Sequence, residues 1–245
     1  MHLYSPNGNP VYQVPYADPP KGLRDATLAD ARKFGLYPSV TEILNVLTKP
    51  GLEAWKIDQM MMACRSATRR DDEDDEAFLK RVKSDASEAS RLARDTGQAI
   101  HDAVEKTFKE LKPTSHDGAA WKICEAICDK YGWDGWQSEL SFASPLGYGG
   151  RIDLINKDKN IIIDLKTKEK FTDKKMAYDE HAMQLIAYAK GVDMPDAKLI
   201  NVFADWNGET VFHEWSDTYR EWDMFLAAFG LWKLVKKYDP LKVIL

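Results

Sequence analysis

The stretch GGRIDLINKDKNIIIDLKTKEK, residues 149 to 170, spaces two carboxylates and an amine so that they could act on one ion or group. Asp164 and Lys166 lie two residues apart, so on a β-strand they share a face roughly 6 to 7 Å apart. Leu165 then points the other way, beside Ile161 and Ile163. If residues 148–156 and 160–167 pair as a hairpin around a turn near 157–159, Asp153 falls opposite Asp164. Two carboxylates that close repel one another unless a cation lies between them. A divalent ion resolves the conflict, and oxygen ligands suit Mg²⁺ or Mn²⁺. The plainer alternative is a buried ion pair between Lys166 and one of the aspartates, because an unpaired charge on a buried strand is costly.

Other residues bear on that choice. Gly97 lies four residues before His101 in a helical stretch, where glycine costs about 1 kcal/mol relative to alanine, so something must approach closely at that turn. His101, one turn on and on the same face, could reach a metal or a phosphate, or could be an ordinary core histidine. Gln184 and Tyr188 share a face at i and i+4 of a later helix. Glu139, on the strand before Asp153, is a further candidate carboxylate or a partner for a surface lysine. Lys166, Lys168, Lys170, Lys174 and Lys175 cluster beside the acids, as a solvated face or as a phosphate track.

The elements that must position these residues can be read from periodicity. Residues 1–36 are rich in Pro, Gly, Asn and Asp without lasting period and read as an extended arm. Ser39-Val40-Thr41-Glu42 is a capping box before an apolar run, and Pro50-Gly51 is expected to end that helix before a second one through Met62. The six acids Asp71 to Glu76 read as a solvated loop or helix start. From Phe78 to Phe108 the apolar residues recur at helical spacing, giving one long helix or a broken pair; 121–131 is another helix. Then the period changes: 137–143, 148–156 and 160–167 read as three antiparallel strands. A helix over 176–191 follows, then a hairpin turning at Asn207-Gly208. A closing helix over 219–236 is expected to bury Trp222, Phe225, Leu226, Phe229 and Trp232. The order predicts an α+β domain spanning 1–245, with a helical part over 37–132 and a sheet core with its closing helix over 133–245.

Composition narrows the class. The 245 residues are 44% hydrophobic, enough for one substantial core, and no window approaches a membrane span. The N-terminus lacks the layout of a secretory signal, and Cys64, Cys124 and Cys128 do not suit a disulfide framework, so a cytoplasmic, reducing setting is expected. The net charge of −5 opposes nucleic acid globally, so any polyanion must be held locally by lysines or bound cations. A phosphate-loop motor motif is absent.

Taken in chain order, Gly97 to His101, Glu139, Gly150-Arg151-Ile152-Asp153, Asp164-Leu165-Lys166 and Gln184 to Tyr188 resemble the PD-(D/E)XK nuclease superfamily, in its RecB-like exonuclease branch. The resemblance covers about residues 38 to 215. It departs from the usual pattern in having Asp rather than Glu at position 164, and the lack of any cysteine after Cys128 rules out a four-cysteine iron-sulfur cluster. The resemblance implies a restriction-endonuclease-like core with about five strands. It implies that Asp153, Asp164, the Leu165 carbonyl and His101 ligate one or two Mg²⁺ or Mn²⁺ ions, with Glu139 as a further ligand. Lys166 would orient or deprotonate the attacking water. Gln184, Tyr188, Arg151, Lys168, Lys170 and Ser39 would brace the site or contact DNA. The expected activity is a metal-dependent DNA exonuclease working on single-stranded ends in phage-type replication, recombination or repair, with a single-strand-binding or recombination protein as partner. Two alternatives stay open: a processive duplex exonuclease, and a non-catalytic nucleic-acid-binding subunit on a nuclease scaffold. The helices over 39–110 would form an arch that a strand end could thread.

Overall fold

The first 36 residues are folded, in contrast to the expected arm. In this computed structural model, which describes residues 1–17, 21–48, 50–110, 118–172 and 175–242, β1 (Leu3–Tyr4) pairs with β4 (Tyr37–Pro38), and β2 (Gln13–Pro15) with β3 (Leu23–Asp25). Leu3, Ala26, Ala31 and Leu36 enter the core one at a time, which is why no periodicity betrayed them. The short helix α1 (Leu28–Phe34) is fastened by Asp30, whose carboxylate accepts from Arg24 at 2.7 and 2.8 Å and from the Thr27 backbone and hydroxyl at 2.9 and 2.6 Å. Those bonds hold the Asp30 carboxyl well below the usual carboxylate range, the Arg24 guanidinium being the largest cause.

Helix α2 (Val40–Leu44) starts at the expected cap, where Ser39 Oγ accepts from the Glu42 amide at 3.0 Å. It ends at Leu44, before Pro50; the proline instead opens α3 (Pro50–Ser66), where a missing N–H costs nothing. The acid run spans a turn and the start of α4 (Asp75–Glu110), which favours the helix dipole. Within it Glu73 pairs with Arg81 at 2.7 Å. The apolar spacing from Phe78 to Phe108 is thus one unbroken helix. Helix α5 (Ala119–Tyr131) buries Cys124 and Cys128 on one face, as expected.

The change of period at residue 136 marks the sheet. Strands β5 (Trp136–Ser144), β6 (Tyr148–Asn156) and β7 (Ile161–Lys168) form the antiparallel meander. Helix α6 (Asp179–Gly191) starts three residues later than expected and carries the chain to β8 (Lys198–Asp205), which lies parallel to β7. Strand β9 (Thr210–Trp215) returns antiparallel after the turn containing Asn207-Gly208. The five strands lie in the order β5-β6-β7-β8-β9, a central mixed sheet flanked by helices in an α+β arrangement. Helix α7 (Tyr219–Lys236) buries Phe225, Phe229 and Trp232, but Leu226, expected inside, is 39% exposed.

Each face of the sheet has its own core. On one, Ile162 and Ile155 pack with Leu185, Phe225 and Phe229 from α6 and α7. On the other, Ile163, Leu165 and Val202 pack with Ile100, Val104 and Phe108 of α4 and with Ile123 and Ile127 of α5. Strand β7 therefore turns Asp164, Lys166 and Lys168 toward α6, while its odd-numbered residues face α4. Among the described residues no helix is long and apolar enough to cross a membrane.

Candidate active site

The β6–β7 ladder stops early. Its pairs are Asn156–Ile161, Ile155–Ile162 and Leu154–Ile163, and the next would be Asp153 with Asp164. There the Asp153 side chain replaces a backbone partner: its Oδ2 accepts from the Leu165 amide at 2.7 Å. A charged acceptor makes this a strong bond, and it fixes the carboxylate where the two strands part. On the other side of Asp153 the β5–β6 ladder also skips a pair, because Glu139 adopts a left-handed backbone with φ 55°. A non-glycine residue there carries strain, which tends to collect at functional sites.

Asp164 is 2% exposed and bonded on both oxygens. Its Oδ1 accepts from Lys166 Nζ at 3.0 Å and Gln184 Nε2 at 2.9 Å; its Oδ2 accepts from Asn201 Nδ2 at 2.7 Å and meets Lys166 Nζ at 2.9 Å. The Gln184 amide closes the ring, accepting from Lys166 at 3.0 Å and donating to the Tyr188 hydroxyl at 2.7 Å. So the i, i+4 pair on α6 does brace the strand residues. Gly150 lets this happen: a Cβ there would lie 2.8 Å from the Tyr188 ring. Gly97 plays the same part on α4, where a Cβ would meet Thr167 Oγ1 at 2.7 Å. The helix thus comes down onto β7 and leaves His101 Nδ1 3.8 Å from Asp153 Oδ2.

Burial pushes the Asp164 carboxyl up, opposed by Lys166 and reinforced by Asp153. Burial alone would lower the Lys166 ammonium, but Asp164 and then Asp153 outweigh it, and the net direction is up. Lys166 is therefore a cation and a donor. Burial and then the two aspartates hold the Tyr188 phenol well above its ordinary value. The Glu139 carboxyl is pushed up to about 7 by burial and Asp153, with Arg151, its ion-pair partner, pulling the other way.

One residue of the cluster was not foreseen. Asn201, fully buried, sits opposite Asp164 in the parallel β7–β8 ladder and also accepts from Trp215 Nε1 at 2.7 Å. The signal was there: a lone Asn inside the apolar run Leu199-Ile200-Asn201-Val202-Phe203 must find buried partners. Other expected residues fall outside the cluster. Ser39 is 4% exposed and its hydroxyl is spent on the α2 cap, so in this structure it is not placed for a DNA contact. Lys170 is exposed, Lys168 lies beyond Lys166 on the same strand face, and Lys174 is outside the described residues. A cavity of about 250 Å³ opens onto Lys166 and Gln184, walled by Thr41, Leu44, Glu180 and His181.

No family model matches the sequence. Nor does any curated protein. Among solved structures, the protein described as "Crystal structure of SSO0001" aligns at 22% identity with a TM-score of 0.32, covering 60% of this chain and 84% of that one. A likeness at that level carries no argument about fold or function.

The donor types suit a hard divalent ion: two aspartates, an imidazole and backbone carbonyls, with Glu139 beside them, and burial, reinforced by Asp153, pushes the Glu139 and Asp164 carboxyls toward protonation. As they stand, however, no three acidic, histidine or cysteine groups among the described residues are gathered closely enough to share one ion. Asp164 is taken up by Lys166, Gln184 and Asn201 and would have to exchange one of these donors for metal.

Proposed function

We propose that the chain is a metal-dependent deoxyribonuclease that hydrolyses phosphodiester bonds from DNA ends, in the manner of the RecB-like exonucleases its motifs resemble. The observation that carries this reading is the meeting, at the parting of β6 and β7, of five residues drawn from four motifs: His101, Asp153, Asp164, Lys166 and Gln184. A structural ion pair needs only two of them.

Asp153 and Asp164, with His101 and the Leu165 carbonyl, would hold Mg²⁺ or Mn²⁺. Such an ion polarises a phosphoryl oxygen and lowers the pKa of bound water. Lys166, being an ammonium, serves as a hydrogen-bond donor that orients a water or a phosphoryl oxygen rather than as a base. Gln184 keeps its Nζ aimed by accepting from it, and Tyr188 holds Gln184 in turn. Arg151 keeps Glu139 paired at the side of the site.

The test is a time course on end-labelled DNA with Mg²⁺ or Mn²⁺ and with chelator. Wild-type protein should shorten the strand only with the ion. Asp164→Asn and Lys166→Ala should each lower the rate about 10² to 10³-fold, as removal of one preorganised charge stabiliser does. Full activity in both variants would refute the site.

One observation favours a second reading. The closed hydrogen-bond ring around Asp164 and the lack, among the described residues, of a gathered three-ligand set also suit a nuclease scaffold that binds nucleic acid without cutting it. That version gives no shortening with any divalent ion while binding persists.

A further inference from the structure

A groove of about 730 Å³ runs from the site between α3 and the β7–α6 connection. It lies next to the small cavity at Lys166, since Glu180 and His181 line both. Its floor is apolar, made of Leu47, Met183 and Met224, and its rims carry two exposed rings, Trp55 at 38% and Tyr178 at 43%. Among the described residues its cations are Lys168 and Lys175. Lys168 stands two residues beyond Lys166 on the same face of β7, roughly 6 to 7 Å on. It faces the Phe203 ring at 5.8 Å, has no carboxylate partner among the described residues, and burial pushes its ammonium down. A half-buried cation left without an anion is costly, and an anionic ligand there would offset that cost. Lys175 lies 5.5 Å from the Tyr178 ring. The groove also carries the acids Asp58, Asp179 and Glu180, of which Asp179 is paired with Arg220 at 2.9 Å.

We propose that this groove holds a single nucleic-acid strand leading into the cleavage site, its unpaired bases stacked on Trp55 and Tyr178 and its phosphates on Lys168 and Lys175. The inference rests on the nuclease reading and deepens it by naming the form of the substrate. A duplex offers phosphates but keeps its base faces inside the stack; only an unpaired strand presents surfaces that rings and an apolar floor can cover. Lys168 follows Lys166 along one strand face, so the phosphate next to the scissile one falls on Lys168.

Fluorescence anisotropy with labelled oligothymidylate and a labelled duplex, in chelator, tests this without cleavage. The wild-type protein should bind the single strand more tightly than the duplex. Trp55→Ala, Tyr178→Ala and Lys168→Gln should each weaken the single strand roughly 10-fold, as loss of one stacking or phosphate contact does, and leave duplex binding unchanged. Trp55→Phe keeps a ring and should keep most of the affinity, which separates stacking from misfolding. No binding of oligothymidylate, unchanged binding in all three variants, or an equal loss on duplex would overturn the groove. The two readings fail separately. Binding lost in the variants of a protein that never cuts upholds the groove against the nuclease, and cutting with unaltered variant binding does the reverse.

Discussion

Glu139 shows what a single residue costs and what it could return. Burial, then Asp153 and Glu105, pushes its carboxyl up to about 7 from 4.5, with Arg151 and Lys109 in opposition. Because the folded state holds the proton more tightly than the unfolded one, this group's stabilising contribution is complete below about pH 4.5 and is lost as pH rises through about 7. Glu139→Gln, measured by thermal melting in chelator, should therefore melt above wild type at pH 8 and coincide with it near pH 4.5; a pH-independent difference would contradict the assignment. Asn201→Ala should cost about 1 to 3 kcal/mol in denaturant titrations, since Trp215 Nε1 and Asp164 Oδ2 each lose a buried partner. At this scale the sequence told much. The strand spacing put Asp153 across from Asp164, and the i, i+4 pair put Gln184 beside Tyr188. It could not tell that the Asp153 side chain would take the place of a ladder bond, nor that Ser39 would be used up as a cap, because both depend on how adjacent strands and turns finally meet.

Helices and strands bring these residues within reach through a few close approaches. Gly97 is the clearest. Elsewhere in an exposed helix Gly→Ala would stabilise by about 1 kcal/mol. Here Gly97→Ala presses a methyl onto Thr167 and should lower the melting temperature and move His101 off Asp153, whereas Gly97→Ala with Thr167→Ala should recover the loss. An unchanged melting temperature in the single variant would show that α4 does not rest on β7 through this contact. Long periodic elements were the legible ones: α4, α5, the meander and the hairpin at Asn207-Gly208 all stand where their patterns put them. The N-terminal segment was misjudged because short strands with isolated apolar anchors such as Leu3 and Val14 carry no period to detect. The groove was missed for a related reason: Trp55 in α3 and Tyr178 before α6 lie far apart in sequence and meet only when those elements fold together.

For the molecule as a whole, a net charge of −5 means that no broad field draws in a polyanion, and attraction must come from a few contacts near the site. Binding of oligothymidylate should then depend only shallowly on salt, with a log–log slope of about −1.4 if Lys168 and Lys175 each neutralise one phosphate. A slope several times steeper would mean that many more cations than these two contact the strand. The short β6–β7 ladder has a bearing on every such experiment. Because Asp153 serves the Leu165 amide as well as any ion, an alanine in its place would loosen the junction of two strands and discharge the centre in one stroke, and an inert protein would leave the two losses indistinguishable. Asparagine retains an oxygen for the amide and discards only the charge, so the two substitutions compared side by side divide scaffold from reagent.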